Sequence, residues 1–203
     1  MANPNKSAES SVNRWLKLKP YVIKISAAII ILVGFYLLII RFAPQLPQIP
    51  IINSSSINLN TKDDAKDNRD RIQIAKINLE VPIFTGNSEA VLDKGVWNRW
   101  PQRGNPIIGG NFILSAHRFE MGLTPSQTRQ KSPFYNIHKL AVGDTLRVFY
   151  QAKWYGYKIS KKYSVKPTAF YIEDPSDYAK LTLYSCTLNG SADGRDVIEA
   201  LPI

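Results

Sequence analysis

The chain has 203 residues, enough for one ordinary domain and some extra segments, and 44% of them are apolar, which excludes a disordered polymer. Its formal net charge is +10, but residues 1–41 and residues 72–203 contribute +5 each and residues 42–71 are balanced. No block of like charge occurs, so nucleic acid is not an expected partner. A single cysteine, Cys186, excludes an internal disulfide and any redox site that needs a second thiol.

From the N-terminus, residues 1–20 are polar and basic, with Lys6, Arg14, Lys17 and Lys19 against Glu9. Residues 21–40 then run apolar from Tyr21 to Ile40 with only Lys24 charged, about the length of a membrane-spanning helix. A cleaved signal peptide is the competing reading. The apolar run exceeds the usual ~7–15 residues of such a segment, and the "RFAPQLP" that follows has no clear small-x-small cleavage site. The basic excess before the span predicts a cytoplasmic N-terminus and an extracellular remainder. Residues 41–71 read as a stalk: "APQLPQIP" favours extended polyproline II, and the polar stretch after it has no periodicity.

From Ile72 the pattern changes to short β-like runs between turn residues. "IQIAKI" and "EVPIF" read as strands, "NSEAVLDKG" as a short helix capped by Asn87 or Ser88, and "NFILSAH" as a strong strand. "SPFYNIHKL" reads as a helical turn, "DTLRVFYQ" and "KWYGYKISKKYSV" as two long strands around a short connection, and "DPSDYA" as a helical turn. "KLTLYSC" and "RDVIEALPI" are the last two strands. The expectation is an all-β fold: a closed barrel of seven or eight strands with short helices over residues 72–203.

The chemistry centres on the last two strands. If they form a hairpin, Cys186 and Arg195 face one another at its mouth. A nearby cation favours thiolate, which is the nucleophilic form, and an arginine can donate hydrogen bonds to an oxyanion. Acyl transfer also needs a proton carrier. His117 ends the "NFILSAH" strand and so lies at a strand mouth, as Cys186 does; His138 sits between apolar neighbours in a helical turn. The bland alternative is that a lone cysteine fills the core. Two distant histidines and one cysteine are poor material for a metal site. Glu173, Asp174 and Asp177 read as acidic residues of a helix start rather than a cation site. A papain-like order is excluded, because here histidine precedes cysteine.

These segments together resemble the sortase family. "TLYSC" is similar to the TLxTC signature, with Ser185 in place of threonine. "GNFILSAHR" resembles the histidine strand GN-x-x-x-x-GHR, with Ala116 for glycine. "FYNIHKLAVGDTLRV" and "RIQIAKINLEVPIFTG" resemble two further family segments, with Ala75 for the proline of the second, and Arg195 matches the arginine that opens the final strand. The resemblance runs in family order from Arg71 to about Leu201. It implies an eight-stranded sortase barrel, a membrane-anchored cysteine transpeptidase without a cofactor. Its partners would be the LPxTG-like sorting signal of exported proteins and an acceptor amine from a cell-wall precursor or a pilin lysine. In that scheme Cys186 is the nucleophile, His117 the acid and base, and Arg195 the carbonyl-positioning oxyanion donor. Ser115, Ala116, Thr182, Tyr184 and Ser185 would contact substrate. A non-catalytic tethered barrel and a sortase-fold hydrolase are the alternatives. No calcium cluster and no Asp-Pro-aromatic lid is read from the sequence.

Overall fold

The computed structural model describes residues 5–45 and 68–203, with side chains from residue 19 onward. The chain divides into two compact units, Met1–Phe42 and Ala43–Ile203. The first is one α-helix, α1 (Asn5–Phe42), with Pro20 inside it. It therefore starts well before the apolar run, because the polar N-terminal residues continue the same helix. Its Lys19–Phe42 stretch is long and apolar enough to cross a membrane. Most of the proposed stalk lies outside the described residues.

The second unit is a β-barrel. Its strands are β1 (Arg71–Ile74), β2 (Leu79–Thr85), β3 (Val96–Asn98), β4 (Gly104–Asn105), β5 (Gly109–Ser115), β6 (Thr145–Tyr150), β7 (Lys153–Val165), β8 (Lys180–Thr187) and β9 (Gly190–Pro202). They follow the order β3-β2-β1-β6-β7-β9-β8-β5, and a β3–β5 pairing closes the ring of eight, with β4 added on β5. The β2–β3 and β5–β8 pairs are parallel; the other pairs are antiparallel. Closure leaves the barrel strands no bare edge.

Alternation along the strands sets what the barrel encloses. β1 gives Ile72 and Ile74 to the main core, β6 Leu146 and Val148, β8 Leu181 and Leu183, β9 Ile198 and Ala200, and β5 Phe112 and Leu114. Each fully buried side chain of this size is worth about 1.5–3 kcal/mol of transfer free energy. The opposite face of β5, β8 and β9 is covered as well: Ile113, Tyr184 and Val197 pack with Ile172 in a second cluster. β6 and β7 join through Gln151 and Ala152, both at positive φ (47° and 62°), the backbone of a tight two-residue hairpin turn. Asp70 Oδ1 accepts from Gln151 N and ties that turn down.

Local readings needed correction in four places. The "IQIAKI" strand ends at Ile74, and Ala75–Ile77 is a 3-10 turn closed by Asn78 in the left-handed region. The helix read over "NSEAVLDKG" is only a 3-10 turn, Glu89–Val91, capped by Ser88 Oγ. The helical turn near "DPSDYA" lies upstream of it, at Phe170–Glu173, because Pro175 disfavours a helical conformation before it. The helix α2 (Pro125–Lys131) was not read, although Thr124 caps it through Gln127 N and Pro125 opens it.

Candidate active site

β8 and β9 set the centre of the site. Cys186 and Arg195 are direct register partners. Both belong to the face of their strands opposite the main core, since Leu183 and Ile198 face inward. The hairpin between them is irregular: Thr187 pairs with Gly190, and residues 191–194 loop out before pairing resumes at Arg195. Gly190 takes φ +109°, and a Cβ on Gly194 would meet Val165 O at 2.9 Å, so the loop needs glycine at both ends. The loop's carbonyls fix the arginine. Arg195 Nη1 donates to Ser191 O at 2.7 Å and to Gly194 O at 2.9 Å. Among the described residues, Nε and Nη2 have no partner.

A cleft of ≈ 450 Å³ opens beside this pair. His117, Ser115, Ala116, Tyr184, Ser185, Cys186 and Arg195 all line it. Thr182 does not: it is fully buried, and its Oγ1 donates to Asn111 Oδ1 at 2.6 Å. Ser185 is buried with its hydroxyl on Cys186 O at 3.1 Å. Cys186 is a half-buried free thiol rather than a core residue. His138 lies away from the cleft on the 3-10 turn Ile137–Lys139, with Nδ1 3.2 Å from Tyr135 O. Partial burial, then the charges of Arg118, Lys139 and Lys162, push its imidazole below the usual pKa against a hydrogen bond that favours charge.

Three features of the cleft were not legible beforehand. Asp93 Oδ1 stands 3.9 Å from His117 Nε2 and 3.3 Å from Lys131 Nζ. Arg118, next to the histidine, is 3% exposed and bridges Asp196 at 3.1 Å. Burial holds its guanidinium below the usual pKa despite that carboxylate. Arg99 lines the cleft while Glu173, read as an ordinary helix-start acid, is buried behind it and binds Arg99 Nη1 at 3.1 Å. Neither sequence spacing nor composition links residues 99 and 173; only the "WNRWPQR" run, dense in cations and indoles, hints at a cluster.

A thiol, an imidazole and a fixed guanidinium around one groove can carry acyl transfer. The family model of the sortase domain matches residues 72–203. The chain belongs to the sortase family. The sortase fold is shared with solved structures. Sortase C of Clostridium perfringens with the C-terminal cell wall sorting motif is 28% identical, with TM-score 0.55 over 66% of this chain and 69% of that one. Sortase C1 of Streptococcus agalactiae is 27% identical, with TM-score 0.55 over 73% and 72%. A C. perfringens sortase D5 transpeptidase, at 24% identity and TM-score 0.56 over 66% and 78%, shares the fold. Sortases A, C and D thus align about equally well, and the fold does not single out a subclass. No curated protein sequence matches the chain significantly.

Proposed function

We propose that this sortase is a membrane-anchored transpeptidase that cleaves an LPxTG-like sorting signal and passes the acyl group to an amine. The observation that carries the reading is the pairing of Cys186 with Arg195 in one cleft with His117. Cys186 Sγ attacks the carbonyl carbon of the threonine, and Arg195, held through Nη1, donates to the oxyanion from its remaining N–H groups. His117 gives a proton to the departing amine, leaving a thioester on Cys186. The incoming amine attacks the thioester and loses its proton to His117, and the thiol is released. A C. perfringens relative solved with a cell wall sorting motif supports the substrate class.

The helix α1 supplies the anchor in this reading. Basic residues before the apolar Lys19–Phe42 stretch support a cytoplasmic N-terminus, with the barrel outside, where exported proteins pass. External protease on protoplasts should degrade the barrel; full protection contradicts the orientation. The reaction is tested with the detergent-solubilised full chain, an LPxTG peptide and a glycine-oligomer amine, followed by mass spectrometry. The proposal expects a ligated product that depends on Cys186. Cleavage that yields only the free acid, at any amine concentration, makes the protein a hydrolase.

A further inference from the structure

The cleft floor has an order set by strand register. Trp97 pairs with Ser115 across β3 and β5, and Ser115 pairs with Tyr184 across β5 and β8. These three side chains form a row. His117 and Cys186 lie two residues past it on one side. Arg99 lies two residues past Trp97 in the other direction, because β3 runs antiparallel to β5. At ~3.3 Å per residue, a peptide attached at Cys186 and extended over the row brings a side chain within about four residues of the scissile bond to Arg99.

That end of the groove is built as a cationic pocket. Arg99 Nη1 donates to Glu173 Oε1 at 3.1 Å and to Tyr184 OH at 3.3 Å, and its guanidinium lies 5.3 Å from the Trp97 ring and 5.7 Å from the Trp100 ring. Glu173, the carboxylate that fixes it, is already saturated. Trp100 Nε1 donates to its Oε2 at 2.8 Å, Tyr184 OH donates to its Oε1, and Arg103 Nη1 donates to its backbone carbonyl. Two arginines around one buried acid leave a positive excess. Arg99 keeps Nε and Nη2 unpaired among the described residues, and its side chain is 32% exposed. In the adjacent row the Ser115 hydroxyl, on a residue only 4% exposed, has no hydrogen-bond partner. A buried hydroxyl without a partner is destabilising unless something supplies one. The other charge acting on Arg99 from the cleft rim is the exposed Glu89.

We infer that Arg99 and Ser115 form a substrate subsite for a carboxylate, so that the sorting signal carries an acidic side chain within about four residues before the scissile bond. The inference rests on the sorting-peptide reading above and specifies which signals this sortase takes. A rigid guanidinium stacked on indoles pairs with a carboxylate through two N–H groups, and charge-assisted bonds of this type discriminate strongly against an uncharged isostere. Glu89 opposes an incoming carboxylate weakly, being exposed and screened.

The test uses the full chain in detergent and fluorogenic peptide pairs that keep the leucine, proline and threonine of the signal and differ only by Glu or Gln at its variable position or at the residue before the leucine. At one position the Glu peptide should be processed about tenfold better in kcat/KM, as expected for a charge-assisted pair. Arg99→Lys should shrink that ratio toward one. Glu89→Gln, which leaves the Glu173 network intact, should enlarge it. Binding of the same pairs to Cys186→Ala, followed by tryptophan fluorescence, separates this inference from the transpeptidase reading. A Glu preference in binding without turnover keeps the subsite and removes the transpeptidase. Turnover with no preference at any position overturns the subsite, as does a preference that Arg99→Lys leaves unchanged.

Discussion

Cys186 and Arg195 face one another across β8 and β9 although the chain between them is not a simple hairpin. The register break loops out residues 191–194, and the carbonyls of that loop hold the guanidinium beside the thiol. The loop thus does two things at once: it turns the chain and orients a cation toward the cleft. Arg195→Ala should stay folded, since the side chain is only half-buried and lies on the face of β9 away from the main core, and should keep an alkylatable Cys186. Turnover should fall by about 10²–10³, the usual loss for one oxyanion donor. Steady-state kinetics beside iodoacetamide labelling checks both parts, and unchanged turnover would remove the oxyanion role.

The two histidines make a contrast within one residue type. His117 lines the cleft with Cys186, whereas His138 sits on a 3-10 turn whose carbonyl is held by Lys162 Nζ at 2.6 Å. Alanine at 117 should cost at least ~10²-fold in turnover, in the range of general acid–base catalysis. Alanine at 138 should change turnover less than twofold, near the error of such assays. The reverse pattern in folded proteins would contradict the site.

Asp93 is an exposed partner of His117 and is shared with Lys131. Exposed ion pairs contribute about 0.2–1 kcal/mol. Asp93→Asn should therefore lower turnover by a few-fold at most, and high salt should mimic the change in the native protein. A loss of 10²-fold or more would give Asp93 a direct part in the chemistry.

Acid should destabilise the barrel through Glu199. Burial alone would raise its pKa, but hydrogen bonds from Tyr163 and Lys180 outweigh that and hold the carboxyl below its usual range. The distances are 2.9 Å and 3.1 Å. A depressed pKa in the folded state means stabilisation that is complete above the unfolded value of ~4.3 and is lost as pH falls through the lower folded value. Glu199→Gln should thus have a lower Tm than the native protein at pH 7, and the gap should narrow below about pH 4. A gap that is constant with pH would mean the loss is one of packing.

The parts of this molecule that were legible in sequence are those governed by short-range pattern. Alternation exposed β1, β6 and β8 and put Cys186 next to the end of β8, but β5 stops at Ser115, two residues before His117, and β9 starts at Gly190, so that Arg195 lies inside it. Ring closure by β3 on β5 was not legible, because β3 is three residues long and carries no alternation of its own. The Arg99–Glu173 contact spans 74 residues of sequence, and Tyr184, from the outer face of β8, hydrogen-bonds to both partners. Thr182 shows the opposite failure. Its place two residues from Tyr184 suggests a shared surface, but the second hydrophobic cluster covers that end of the strand and its hydroxyl is spent on Asn111.

The central claim is that Cys186 forms the acyl-enzyme. Intact-protein mass spectrometry after mixing with an LPxTG-type peptide measures this directly. The account predicts an added mass equal to the peptide up to its threonine, removed by hydroxylamine and absent in Cys186→Ala. Peptide cleavage that persists in Cys186→Ala, with no adduct in the native protein, would contradict it.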